Sequence, residues 1–178
     1  MDGKKVLLSI LEDSRKRYHW VVGELDDAAL YWQPDPEANS IAITIWHVGR
    51  VFDVFLAQKL LAIPASDELW FRNGWAERTG YDPRGLGVNE WGNLIGYTPD
   101  EVKAVPRLSG DQLLLYFDES VTAFGNFIES LPAGHLSERS TGDRSHYTNF
   151  DWIKLGLLNM TRHIGEILAI KSMYERQK

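Results

Sequence analysis

The sequence predicts an all-α protein, a four-helix bundle with a long crossover between its second and third helices. Three observations carry this. Four long segments repeat apolar residues at the helical interval. No stretch has the strict alternation of a half-buried strand. The interval between the second and third segments, from about residue 63 to 108, is far longer than a bundle turn needs.

The first helix is expected over about residues 3 to 24, where Val6, Leu7, Ile10, Leu11, Ser14, Tyr18, Val21 and Leu25 recur on one side. "QPDPEANS" then breaks the chain, because proline cannot continue a helix and restricts the residue before it. Asn39 or Ser40 caps the second helix, which runs to about Ala62, before Pro64. The third opens with "SGDQ", where Ser109 and Gln112 fit a capping box, and continues through Phe117, Val121, Phe124, Ile128 and Leu131. The fourth opens with "TNFD", where Thr148 and Asp151 fit another, and runs on through Ile153, Leu157, Met160, Ile164, Ile167 and Met173. The crossover is rich in glycine and aromatic residues. A short helix is expected in it at "TPDEVKA", with Thr98 as cap and Pro99 first, and another at "SDELWFRN".

At 178 residues the chain is expected to form one domain, spanning 1–178. Its 19 Lys+Arg against 25 Asp+Glu give a formal net charge of -6, which argues against general affinity for nucleic-acid phosphates. There is no cysteine, so disulfides, thiolate metal ligands and a cysteine nucleophile are excluded. The first residues do not resemble a signal peptide, and no uninterrupted apolar run approaches the roughly 20 residues of a membrane span. A cytoplasmic protein with no membrane partner is expected.

The second helix, "SIAITIWHVGRVFDVF", is apolar almost all the way round, yet it carries His47, Arg50 and Asp53. A helix of that kind is a buried one, and buried polar groups need partners. Arg50 and Asp53, three apart, are suited either to pairing with each other or to contacting a substrate. His47 and His163 each sit deep in a long helix, and bundle cores are a recurrent place for sites built from facing side chains. No serine-hydrolase elbow, dinucleotide fingerprint or H-E-x-x-H motif is present.

"IWHVGRVFDVF", "ELWFRNGWAER" and "RHIGEILAIKSMYE" together resemble the DinB-like superfamily. The resemblance implies a four-helix bundle with a long crossover, often a homodimer. It also implies kinship with metal-dependent enzymes that use low-molecular-weight thiols, such as mycothiol- and bacillithiol-dependent transferases and isomerases. Members with a clear metal site use one histidine on the second helix, matching His47, and an H-x-x-x-H pair on the last. The second histidine of that pair matches His163, and the first falls on Asn159. The expected metal positions are therefore His47 and His163, with Asn159 as a weak third position and Glu166, one turn beyond His163, as the alternative third ligand. The metal expected is zinc or nickel, weakly held or absent.

The expected function is a metal-dependent thiol S-transferase or isomerase acting on a small electrophile. The attacking sulfur would come from a thiol cosubstrate, since coordination lowers a thiol's pKa. Trp46, Arg50, Asp53, Trp70 and Trp75 are the expected substrate contacts, with Trp91 also walling the pocket and Arg72 or Arg78 holding a carboxylate. The alternative is a non-catalytic small-ligand-binding module or dimeric scaffold with a degraded metal site.

Overall fold

A computed structural model describes residues 3–142 and 146–177. Four long helices form the frame: α1 (Gly3–Val22), α3 (Ile41–Val54), α7 (Gly110–Ser130) and α8 (Asn149–Glu175). Four short ones join them: α2 (Asp27–Tyr31), α4 (Leu69–Arg72), α5 (Trp75–Thr79) and α6 (Pro99–Ala104). Both α1 and α3 pack against α7 and α8, so the four long helices close a ring with α1 and α3 on one diagonal. The all-α bundle with its helical crossover is therefore as expected. Among the described residues there is no strand, only an isolated bridge between Arg139 and Thr148.

Local side-chain chemistry starts most of the helices after α1. Ser40 accepts from the Ile43 N–H at the head of α3. Thr98–Glu101, Ser109–Gln112 and Thr148–Asp151 form reciprocal capping boxes. Each satisfies backbone donors that the first turn would otherwise strand. The sequence pattern missed α2, which Asp26 caps through Ala29 N–H, and α5, which starts and ends on glycines with positive φ.

The core is continuous across the ring. Tyr18 of α1 lies 4.6 Å from Phe117 of α7, centroid to centroid, and its hydroxyl donates to the Met160 carbonyl of α8. Phe52 of α3 meets Phe124 of α7 at 4.8 Å. The segment Ile41–Leu60 is long and apolar enough to cross a membrane by length and composition, and 89% of it is buried inside the bundle. It is the bundle's central helix.

That helix does not stay α-helical. Over Phe55–Leu60 it loosens into a π-helical turn, with Leu61 N–H bonding back to the Leu56 carbonyl. Such turns free a carbonyl and shift the register of the side chains beyond them. Here the Lys59 carbonyl accepts from Gly142 N–H and from the Ser140 hydroxyl, so the loop before α8 clamps the turn. Only glycine fits at 142, because a Cβ there would collide with the Gln58 carbonyl.

The crossover, residues 61–109, folds back onto the bundle through three tryptophans. Trp70 and Trp75 are fully buried, stacked at 6.1 Å and close to parallel, while Trp46 of α3 meets Trp70 edge-on at 5.9 Å. The two crossover indoles also find acceptors, Trp70 on the Tyr81 carbonyl and Trp75 on Glu119. Burial and hydrogen bonding together make this loop a packed lid and not a loose tether.

Candidate functional site

The polar residues of α3 do not share one role. Arg50 and Asp53 form a wholly buried network. Arg50 donates to Asp53 at 3.1 Å and to Glu68 at 2.8 Å, and its Nε donates to the Gly92 carbonyl at 3.0 Å. Asp53 accepts from the backbone N–H groups of Leu69 and Trp70, at 2.7 and 2.9 Å, and from the Tyr116 hydroxyl at 3.0 Å. It thus caps α4 from another helix, a task that Glu68 at the cap position leaves undone. Burial pushes the carboxyls of Asp53 and Glu68 up, with Arg50 pulling both the other way. Burial also holds the Tyr116 hydroxyl well above its ordinary value.

His47 meets different partners. Its Nδ1 contacts the Asn93 carbonyl of the crossover. A carbonyl has no proton to give, so Nδ1 carries the hydrogen and Nε2 keeps a bare lone pair. Burial, against which the Asn93 bond works, pushes the imidazolium's pKa down to about 4, so the ring is neutral near pH 7. Nε2 lies 3.3 Å from the Asn159 amide nitrogen, which donates to it.

His163 faces His47 edge to face, with ring centroids 4.9 Å apart. Its Nδ1 lies 2.5 Å from Glu166, whose carboxyl is held below its ordinary value by that bond. The other Glu166 oxygen accepts from Thr44 at 3.4 Å. Glu166 thus stands behind His163, with one oxygen at its Nδ1 and the other near the Thr44 hydroxyl. The Nε2 of His163 has the Arg162 guanidinium 3.5 Å away.

Besides Nε1 of Trp46, two buried polar atoms around His47 lack partners among the described residues: Oδ1 of Asn159 and Nδ2 of Asn93. An unmade buried hydrogen bond costs about 1–3 kcal/mol. Their bearers are the two residues that hold the imidazole of His47 from opposite sides.

Beside Asn159 opens a cavity of about 1190 Å³. Val51, Phe55 and Lys59 of the central helix line one side, Trp152, Asn159 and Arg162 of α8 another, and Trp91 and Ile95 of the crossover a third. The five expected substrate contacts do not line it. Trp46, Arg50, Trp70 and Trp75 are sealed in the core, and Asp53 borders only a separate cleft of about 430 Å³. Their burial suits packing and crossover anchoring, because a side chain with no exposed surface cannot touch a guest without the core opening. Trp91 does wall the cavity. Arg78 is spent on the Trp75 ring, 4.1 Å from its centroid, and Arg72 lines the smaller cleft. Among the loop histidines, His135 pairs with Glu138, and His146 lies beside Arg139.

Sequence reasoning missed Asn93, Glu68, Lys59 and Arg162. Only Asn93 left a signal. Gly92 before it has φ of 59°, and a Cβ there would strike the Pro83 carbonyl, so the glycine marks a tight turn that delivers the Asn93 carbonyl.

The residues fit a divalent cation through two imidazoles and one amide. Each imidazole has its Nδ1 engaged by an acceptor, the arrangement that fixes histidine for coordination through Nε2. The unpartnered Asn159 oxygen is a third donor. Among the described residues no group of three His, Cys, Asp or Glu side chains is placed to hold a metal ion.

Fold and site together define a four-helix bundle with paired histidines between two core helices, roofed by an aromatic crossover. The chain belongs to the DinB superfamily, whose family model matches residues 10–167. A solved structure, described as a conserved protein from Enterococcus faecalis, shares the fold: the TM-score is 0.76 at 19% identity, and the match covers 96% of each chain. No curated protein matches.

Proposed function

We propose that this protein is a metal-dependent enzyme acting on a small molecule held in the large cavity, with His47, His163 and Asn159 as the cation-binding residues. The observation that supports this most is the pair of imidazoles at 4.9 Å, each engaged at Nδ1 by an oxygen acceptor. A cation bound there supplies Lewis acidity, which lowers the pKa of a coordinated thiol or water. The chain's own residues do the rest. The Asn93 carbonyl keeps His47 in one tautomer and Glu166 orients His163. Trp91, Trp152 and the aliphatic side chains around them keep water from the guest. With no cysteine in the chain, any transferred sulfur arrives on a low-molecular-weight thiol cosubstrate.

A second reading has its own support. The Asn159 amide already donates to His47, and the Arg162 guanidinium lies beside the Nε2 of His163. A guanidinium there opposes a cation, which suits a module that binds a small ligand without catalysis.

Calorimetric titration of chelator-treated protein with zinc and nickel tests the choice. The first reading expects one equivalent bound in the wild type and none in His47→Ala or His163→Ala, with circular dichroism unchanged. No binding by the folded wild type leaves the second.

A further inference from the structure

The large cavity has a charge character as well as a shape. Two cationic side chains line it, Lys59 and Arg162, and no Asp or Glu does. Neither cation has a carboxylate partner among the described residues. Elsewhere in the protein basic groups are commonly matched: Arg50 with Asp53 and Glu68, Arg84 with Asp82, Lys154 with Asp151.

The π-helical turn is what brings Lys59 here. Its ammonium lies 4.9 Å from the Trp91 ring centroid and 5.6 Å from that of Trp152, and these two rings meet edge-on at 6.2 Å. The aromatic faces hold the ammonium by their negative quadrupole without neutralising its charge. The positive end therefore has a fixed position and an unmet charge.

The other cation is distant. Trp152 and Arg162 are ten residues apart on α8, which is about 15 Å of helix. Between them Leu155 and Leu158 of α8, with Ile95 and Val51, give the cavity an apolar stretch, and Asn159 and Thr161 follow towards Arg162. Leu158 and Ile95 are exposed, so this wall is open to a guest.

We propose that the cavity takes a small, elongated organic acid whose apolar body lies along Leu155, Leu158 and Ile95, with its acidic group at Lys59 and its reacting end at Asn159, which adjoins the Nε2 of His47. This rests on the functional reading above and adds the substrate's chemical class. Lys59 is then a specificity-determining residue for the acid, its ammonium held at Trp152 about two helical turns along α8 from Asn159. Arg162 stands at the reacting end, where it meets oxygen or developing negative charge.

Two dyes of nearly the same aromatic body separate charge from shape: 1-anilinonaphthalene-8-sulfonate, an anion, and N-phenyl-1-naphthylamine, which is neutral. Fluorescence titration of the folded protein should give one site for each, with the sulfonate bound more tightly at low salt. Lys59→Met keeps the apolar stem and should weaken the sulfonate about fivefold, the size of one partly exposed charge interaction. The neutral dye should change less than twofold, and Lys59→Arg should restore the sulfonate. The proposal is overturned if the sulfonate has no advantage, or if Lys59→Met changes both dyes alike or neither. Zinc titration of the same proteins separates the two readings. Intact zinc binding without dye discrimination overturns only the acid assignment. Intact discrimination with no zinc binding in any protein overturns only the metal reading.

Discussion

The rings of His47 and His163 stand nearly perpendicular, 84° between planes and 4.9 Å between centroids, with Asn159 beside the Nε2 of His47. Asn159 and His163 are one turn apart on α8, so position 159 is suited to complete a three-histidine set. A neutral amide is a poor ligand for zinc or nickel beside an imidazole. Asn159→His should therefore tighten zinc binding at least tenfold, given that losing even an outer-shell partner changes metal affinity about 10–100-fold. Asn159→Ala should weaken it. Calorimetry of the three proteins decides this. Tight binding by the wild type, unchanged in both variants, would mean that the third ligand lies elsewhere.

Stability of the metal-free protein should depend on pH through His47. The unfolded chain takes up this proton near pH 6.5, the folded chain only near 4, because burial disfavours the charged ring. The stabilisation from keeping His47 neutral is complete above pH 6.5, declines as the pH falls, and is lost below 4. The full swing is about 3 kcal/mol. Urea denaturation of wild type and His47→Gln in chelator should give a difference that moves against the wild type across that window. Parallel pH curves for the two proteins would contradict the assignment.

The bundle is legible in the sequence because its signals are local. The steps of three and four from Phe117 to Leu131, the capping boxes at Thr98, Ser109 and Thr148, and the proline breaks each act within one or two turns. The facing of His47 and His163 is half legible, since depth in an apolar helix predicts burial but not the angle between rings. The partners are not legible. Asn93 reaches His47 by a backbone carbonyl, which any residue type offers, and the π-helical turn that aims Lys59 has no composition of its own. The same limit applies to the tryptophans expected at the substrate: aromatic content implies burial, and at Trp70 and Trp75 the burying surface is the core itself.

Arg50 should prove the crossover's main tie. It is the cation among two buried carboxylates, and it also holds the Gly92 carbonyl next to Asn93. Breaking a buried pair from one side costs about 3–5 kcal/mol, because the stranded charge remains. Arg50→Met should lower the melting temperature by about 10 °C, given roughly 2–4 °C per kcal/mol at this chain length. Hydrogen exchange should rise first in residues 68–93, before α1 or α7 loosens. Uniform loss of protection across all four long helices would show that the network serves the whole core and not the crossover.

Two helical glycines should respond to alanine with opposite signs. At Gly49 of α3, a Cβ would stand 2.9 Å from Cε1 and 3.0 Å from Cδ1 of Tyr116, where α3 meets α7. Tyr116 cannot withdraw, because its ring is fully buried edge-on against Trp70 and Trp75 and its hydroxyl donates to Asp53. Overpacking of this kind costs about 1–3 kcal/mol, more than the up to about 1 kcal/mol that alanine contributes as a better helix former. Gly49→Ala should therefore destabilise. At Gly165 of α8, a Cβ would meet nothing within 4 Å, and the position is exposed. Only the propensity term remains there, so Gly165→Ala should stabilise by about 0.5–1 kcal/mol. Denaturant midpoints of the two variants, with unchanged slopes, check both signs. Stabilisation at both positions would mean that Tyr116 yields, and with it the Asp53 contact that caps α4.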